Sequence, residues 1–403
     1  MQFGIQRRHN LYSTIFVATL IICSINFFDL QILRGSFVRY IQFGFLLSAI
    51  AISFVYLFVN NSGFIFPVKL ISFSILLSIF ITKLTWGQDL ADCLTGTIPV
   101  LIWVVFFYLR HLKFPISSIE KLIVGYGILY IVFYFFQFTH ADKNYFINTE
   151  EIDISRGITR IVFPGRGIFY LTVFIAINKL TFEKNNRWFW CILSIFGILI
   201  TIMQVTRQFI FGIAIIYLFH FLKNQNLSKQ ILVTLLVVFA FFYVSESDSP
   251  IIQGLIKTQN DDLQSGSNYI RLKEATFFLK DYPYSNINRV LGMGIPYGDN
   301  SKYYKYSEFY QDYYGYYLSD VGLIAVYVMF GVFAVLGYLL IWVKSLSMKL
   351  PQKYFYLKYY MSFLIFTCLT SDTIYSTSDL VTTILVVYSF QTLYEAKNEK
   401  LIL

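Results

Sequence analysis

The chain is short of charge, histidine and cysteine, and each shortage excludes something. Of its 403 residues, 14% are Asp, Glu, Lys or Arg. A soluble domain carries roughly 25%, so this surface is too poor in charge to face water throughout. The four cysteines, Cys23, Cys93, Cys191 and Cys368, lie far apart and mostly inside apolar stretches. No CxxC or Cys/His spacing joins them, so neither a zinc site nor a disulfide framework is supported. His9, His111, His140 and His220 stand singly. There is no Walker loop, HExxH or Asp-x-Asp, and Glu151-Ile-Asp153 is the nearest approach. No metal or cofactor is therefore expected. The formal net charge of +9 comes from Lys and Arg scattered between hydrophobic segments. That pattern suits membrane topology and anionic lipid headgroups, and gives no groove for nucleic acid.

What is abundant is apolar and aromatic: 57% of the chain is hydrophobic, with 43 Phe and 32 Tyr. Apolar runs long enough to span a bilayer recur from end to end. The expected fold is all-α, a single polytopic membrane domain over residues 1–403 with about 12 transmembrane helices. The hydropathy places them near 11–29, 37–59, 66–83, 94–109, 119–138, 164–181, 188–205, 208–222, 230–246, 317–343, 355–370 and 376–394. Arg7-Arg8-His9 precedes an apolar run without a small-x-small cleavage pattern, so the N-terminus reads as a retained helix. Basic residues fall on alternate ends of these helices. The positive-inside rule then predicts both termini in the cytoplasm, with longer loops at 139–163 and 247–316 outside.

The larger loop carries its own pattern. Asn268 to Leu279 reads as a capped helix with apolar positions at Ile270, Leu272, Ala275, Phe278 and Leu279. Tyr282-Pro283, Gly292-Met293-Gly294 and a tyrosine-rich stretch from Tyr303 to Tyr317 follow, which suggests a lid packed on the outer face. Three separate segments deliver arginine to that face: Arg156, Arg160 and Arg166, then Arg207, then Arg271 and Arg289. The planar guanidinium grips phosphate oxygens with two hydrogen bonds and stays charged beside a membrane, so the convergence points to a lipid-linked phosphate or diphosphate. Taken singly, each arginine reads equally well as an interfacial cation. Arg207 differs, because a charge set between two apolar helices needs a partner. Asp312 and Asp320, at the entry to the next span, are placed to take a proton from a hydroxyl. Asp142, Glu150, Asp299, Glu308, Asp372 and Asp379 share the outer face.

In order and placement these features resemble the O-antigen ligase and polymerase superfamily of bacterial envelope enzymes. The resemblance covers roughly residues 150–345. It rests on Thr206-Arg207 at a tight outer turn, Arg271 opening the loop helix, Tyr282-Pro283 and Gly292-Met293-Gly294. Asp320-Val321-Gly322-Leu323 opens the next span, and Arg156 and Gly167 are separated by ten residues. Ligases of this superfamily carry a His where this chain has Gln311-Asp312, so the resemblance favours the polymerase branch. It implies glycosyl transfer between undecaprenyl-diphosphate-linked oligosaccharides on the outer face of the bacterial inner membrane. On that reading Arg156, Arg160, Arg207, Arg271 and Arg289 hold diphosphate, Gly292 and Gly294 cradle sugar, and Asp320 or Asp312 is the base. A chain-length regulator is the expected protein partner. A ligase acting on lipid A core or protein, and a transporter or flippase for lipid-linked sugars, are the alternatives. A transporter is disfavoured by the clean apolar spans and the absence of a repeat.

Overall fold

The computed structural model describes residues 2–33, 35–146, 161–223, 253 and 269–402. These residues form helices and turns with no strand among them; Leu30 and Phe146 make an isolated bridge. In chain order the helices are α1 (Gln2–Ser24), α2 (Ser36–Phe54), α3 (Ile65–Trp86), α4 (Leu90–Leu101), α5 (Val105–Leu112), α6 (Ile116–Thr139), α7 (Arg166–Phe182), α8 (Arg187–Met203) and α9 (Arg207–Leu222). After residue 269 come α10 (Ile270–Lys280), α11 (Asn286–Leu291), α12 (Lys302–Tyr314), α13 (Gly322–Ser347), α14 (Phe355–Thr367) and α15 (Thr377–Ile402). A 3₁₀ turn over Ile102–Val104 joins α4 to α5.

Among the described residues five stretches are long and apolar enough to cross a membrane: Ser36–Phe54, Ile65–Trp86, Leu90–Leu112, Ile116–Thr139 and Gly322–Ser347. Leu11–Ser24, α8 and α9 are shorter apolar helices. The helix expected at 230–246 lies outside the described residues. The first expected helix stops at Ser24, short of 29, because Asn26 to Asp29 turn through left-handed backbone with φ between 50° and 59°.

The centre of the bundle is α7. Every residue from Gly167 to Asn178 is buried, so this helix is enclosed on all sides, as an all-round apolar helix must be. It packs on α6, α8, α14 and α15, and Thr172 donates to the Ile123 carbonyl of α6 at 2.9 Å. By contrast α2 leaves most of its surface uncovered, the expected state of a helix at a lipid-facing rim.

The second organising contact joins α3 to α13, and the segment between α11 and α12 is clipped into it. The sequence predicts an unbroken helix over 317–343, but α13 is broken at Gly331, where φ is 79° and ψ is −176°. The break frees carbonyls one turn earlier. Met293 and Gly294 take them, donating to Val328 and Met329 at 2.8 Å each, while Thr82 of α3 donates to the Met293 carbonyl at 2.6 Å. The fit requires glycine. A Cβ on Gly292 would stand 2.4 Å from the Met329 carbonyl oxygen, and one on Gly294 would stand 1.8 Å from the Thr82 hydroxyl. Irregular backbone inside a helical bundle persists only when its polar groups are satisfied like this.

Candidate functional site

Four helices begin at one end of the bundle, and their starts touch one another through the connecting turns. Gly167, in the first turn of α7, donates its N–H to Asp379 in the first turn of α15 at 2.5 Å. Gln208 at the start of α9 donates to the Thr370 carbonyl at 3.4 Å, in the turn between α14 and α15. Leu323 at the start of α13 donates to the Cys368 carbonyl at 2.9 Å, and Tyr375 donates to the Leu318 carbonyl at 3.0 Å. Unpaired N–H groups and the helix dipole make each of these starts partially positive.

Arg166 sits at their centre with 18% of its side chain exposed. It pairs with Asp372 at 3.8 Å, lies in the field of Asp379, and stacks over the Phe209 ring at 5.3 Å. Behind it runs a buried relay in which Tyr170 donates to Gln204 at 3.0 Å and Gln204 donates to Tyr130 at 2.9 Å. Burial pushes the Asp372 carboxyl above its usual range, and Arg166 pulls it partly back. Asp320 adds its negative field to both Asp372 and Glu274.

Glu274, on α10, closes the cluster from the loop side. It is 1% exposed, and its Oε1 accepts the Tyr317 N–H at 2.7 Å. Burial raises its pKa to about 7; Asp320 pushes in the same direction, and the Tyr317 N–H and Arg271 oppose it. Its Oε2 has no partner among the described residues, and neither has Oδ2 of Asp379. Each of these two carboxylates therefore has one oxygen held by backbone and one buried without a hydrogen-bond partner among the described residues. Four acids, two arginines and four helix starts thus meet at one end. Such an arrangement can hold an anion on Arg166 and the helix starts while a nearby carboxylate accepts a proton.

The residues singled out in the sequence divide clearly. Asp320 and Arg271 are in the cluster, and Arg207 opens α9 beside it. The turn leading to Arg207 holds Val205 at φ 52°, a β-branched residue in the left-handed region. Such strain persists only where its surroundings enforce it. Asp312 is exposed on α12 and makes none of the contacts that link the cluster. Arg289 is exposed and donates to the Lys280 carbonyl at 3.0 Å, capping α10. Gly292 and Gly294, expected to cradle sugar, are buried in the seam between α3 and α13; their small size serves the close approach of backbone. Arg156 and Arg160 lie outside the described residues.

In the sequence Arg166, Asp372 and Asp379 stand only as members of longer sets of charges expected outside, and Glu274 is one carboxylate among many. The apolar face expected for α10 is buried only in part: Phe278 is enclosed, but Ile270, Leu272 and Leu279 are 48%, 57% and 44% exposed and Glu274 is buried instead. One signal for Glu274 is in the sequence: it lies four residues before Phe278, one helical turn from the aromatic that the helix buries. Among the described residues, no group of three or more His, Cys, Asp and Glu is arranged to hold a metal ion.

No protein-family model matches the chain, and no curated protein matches it.

Proposed function

We propose that the protein polymerises undecaprenyl-diphosphate-linked oligosaccharides into a surface polysaccharide at the outer face of the bacterial inner membrane. In this reading the chain crosses the membrane about a dozen times, with both termini cytoplasmic and the segments 139–163 and 247–316 outside. The observation that carries it is the meeting of Arg166, four helix starts and buried carboxylates at a single end of the bundle.

The reaction moves one glycosyl group. A hydroxyl oxygen of the acceptor repeat unit attacks the anomeric carbon of the donor chain. The bond from that carbon to the diphosphate oxygen breaks, and undecaprenyl diphosphate leaves with the electron pair. The hydroxyl proton passes to a carboxylate, for which Asp320 is the first candidate. Diphosphate is already a good leaving group, so positioning and charge stabilisation are the main tasks. Arg166, Arg207 and Arg271 are assigned to the diphosphates, with Arg156 and Arg160 added from the first outer loop. Tyrosines of α12 are assigned to sugar rings.

Purified protein in nanodiscs, given one matching lipid-linked repeat unit and no other acceptor, should produce a ladder of extended products. Arg207→Ala should cut the ladder rate about 100-fold, the usual effect of removing one charge-stabilising donor. Arg207→Lys should recover only part of it, since lysine keeps the charge but not the fork. Transfer to lipid A core with no ladder would move the protein to the ligase branch.

A further inference from the structure

The opposite end of the bundle, roughly 25 Å away along α7 at 1.5 Å per residue, holds two adjoining cavities. One is a chamber of about 410 Å³ under the α7–α8 turn, with Asn178, Thr181, Arg187, His220, Lys223 and Gln352 in its wall. The other is a groove of about 470 Å³ between α9 and α14, walled by Ile216, Phe219, Ile365 and Phe366 and edged by Lys223 and Lys358. Lys223, Phe355 and Tyr359 line both, so the polar chamber opens into the apolar groove.

The charges here have one sign. Among the described residues no carboxylate lines either cavity, while Arg187, Lys223 and Lys358 do. What they contact is neutral. Lys223 lies over the Phe355 ring at 3.3 Å, Lys358 donates to the Leu346 carbonyl at 2.6 Å, and Arg187 donates to the Glu183 carbonyl at 3.4 Å. His220 is taken up by Tyr359 and Thr181, at 2.8 Å and 3.1 Å. A cationic chamber at a helix end, continuous with an apolar groove between α9 and α14, matches one ligand chemistry. The ligand is an anionic head joined to hydrocarbon tails.

We propose that these cavities form a site for an anionic phospholipid of the leaflet opposite the carboxylate cluster. Its phosphate would sit among Arg187, Lys223 and Lys358, and its acyl chains along α9 and α14. The site needs membrane insertion but not the glycosyl-transfer reading, and its test reads bound lipid rather than product.

Delipidated protein in neutral detergent, titrated with phosphatidylglycerol or phosphatidylcholine and observed by native mass spectrometry, tests it. Phosphatidylglycerol should be retained at about tenfold lower concentration. Lys223→Gln with Lys358→Gln should erase that preference, while arginine at both positions keeps it. Ser362→Trp, which fills the groove without changing charge, should lower retention of both lipids. Equal retention of the two lipids by the unaltered protein would overturn the proposal, as would a preference that survives loss of both lysines. Displacement of phosphatidylglycerol by equimolar undecaprenyl phosphate would overturn it in favour of the carrier lipid. The comparison on the unaltered protein stands even if a variant fails to fold.

Discussion

A carboxylate with one oxygen bonded and the other facing no partner is costly to bury, and Glu274 and Asp379 are both in that state among the described residues. For Glu274 the cost has a pH signature. Its folded pKa, about 7, lies above the ordinary value of 4.5, so the folded protein holds a proton that the unfolded chain releases. Stability should therefore be greatest below pH 4.5 as far as this group is concerned. It should fall as pH rises towards 7 and level off above that. Glu274→Gln should flatten this slope and raise stability at pH 8 by about 1–3 kcal/mol, measured as the unfolding midpoint in detergent across pH. Asp320 and Asp312 should separate in the ladder assay. Asp320→Asn is expected to slow extension at least about 100-fold, in the range of a lost general base, and Asp312→Asn, on the exposed side of α12, to leave it nearly unchanged. Comparable loss from both would remove Asp320 from the special place given to it. At this scale the sequence was only partly legible. Residue type and outer placement flagged Asp320, Arg207 and Arg271. Which of the many outer acids approach Arg166 depends on helices distant in the chain.

The elements were easier to read, because apolar periodicity and tight polar turns are local. Thr206-Arg207-Gln208 splits α8 from α9 as expected, and the helices at 66–83, 119–138 and 355–370 fall within a few residues of α3, α6 and α14. The break in α13 was not legible. Gly331 is flanked by Phe330 and Val332 in a continuous apolar run, and only its meeting with a loop some forty positions earlier gives the glycine its meaning. That meeting is testable. Gly294→Ala must displace the Thr82 hydroxyl, so it should destabilise the protein by about 1–3 kcal/mol, the usual cost of overpacking. Thr82→Val removes one hydrogen bond and should cost about 1 kcal/mol. Thermal unfolding of both variants in one detergent would check the order, and a neutral Gly294→Ala would mean that the seam is not close-packed.

For the whole molecule, composition foretold an all-helical chain with membrane-length helices, and that much is present. Among the described residues five stretches meet the length and apolarity of a span, against the dozen expected for the whole chain. Several others are short, α8 and α9 having 17 and 16 residues. Their lengths are trimmed where polar turns such as Gln204–Thr206 fold into the cluster. The proposed topology has its own test. A periplasm-dependent reporter should be active after Ser285 and silent after Leu403. Silence after Ser285 would invert the face on which the cluster works, and activity after Leu403 would overturn the cytoplasmic C-terminus.

The clip at Met293 and Gly294 also changes what kind of loop this is. In polymer terms a long excursion pinned at its middle is two short ones, each with a smaller closure entropy than the whole. The part carrying Glu274 and the part carrying α12 share that fixed point and close on each other, Phe277 against Tyr310 at 4.5 Å and Tyr282 against Tyr306 at 5.3 Å. A single protease cut on either side of the clip should therefore leave both pieces anchored.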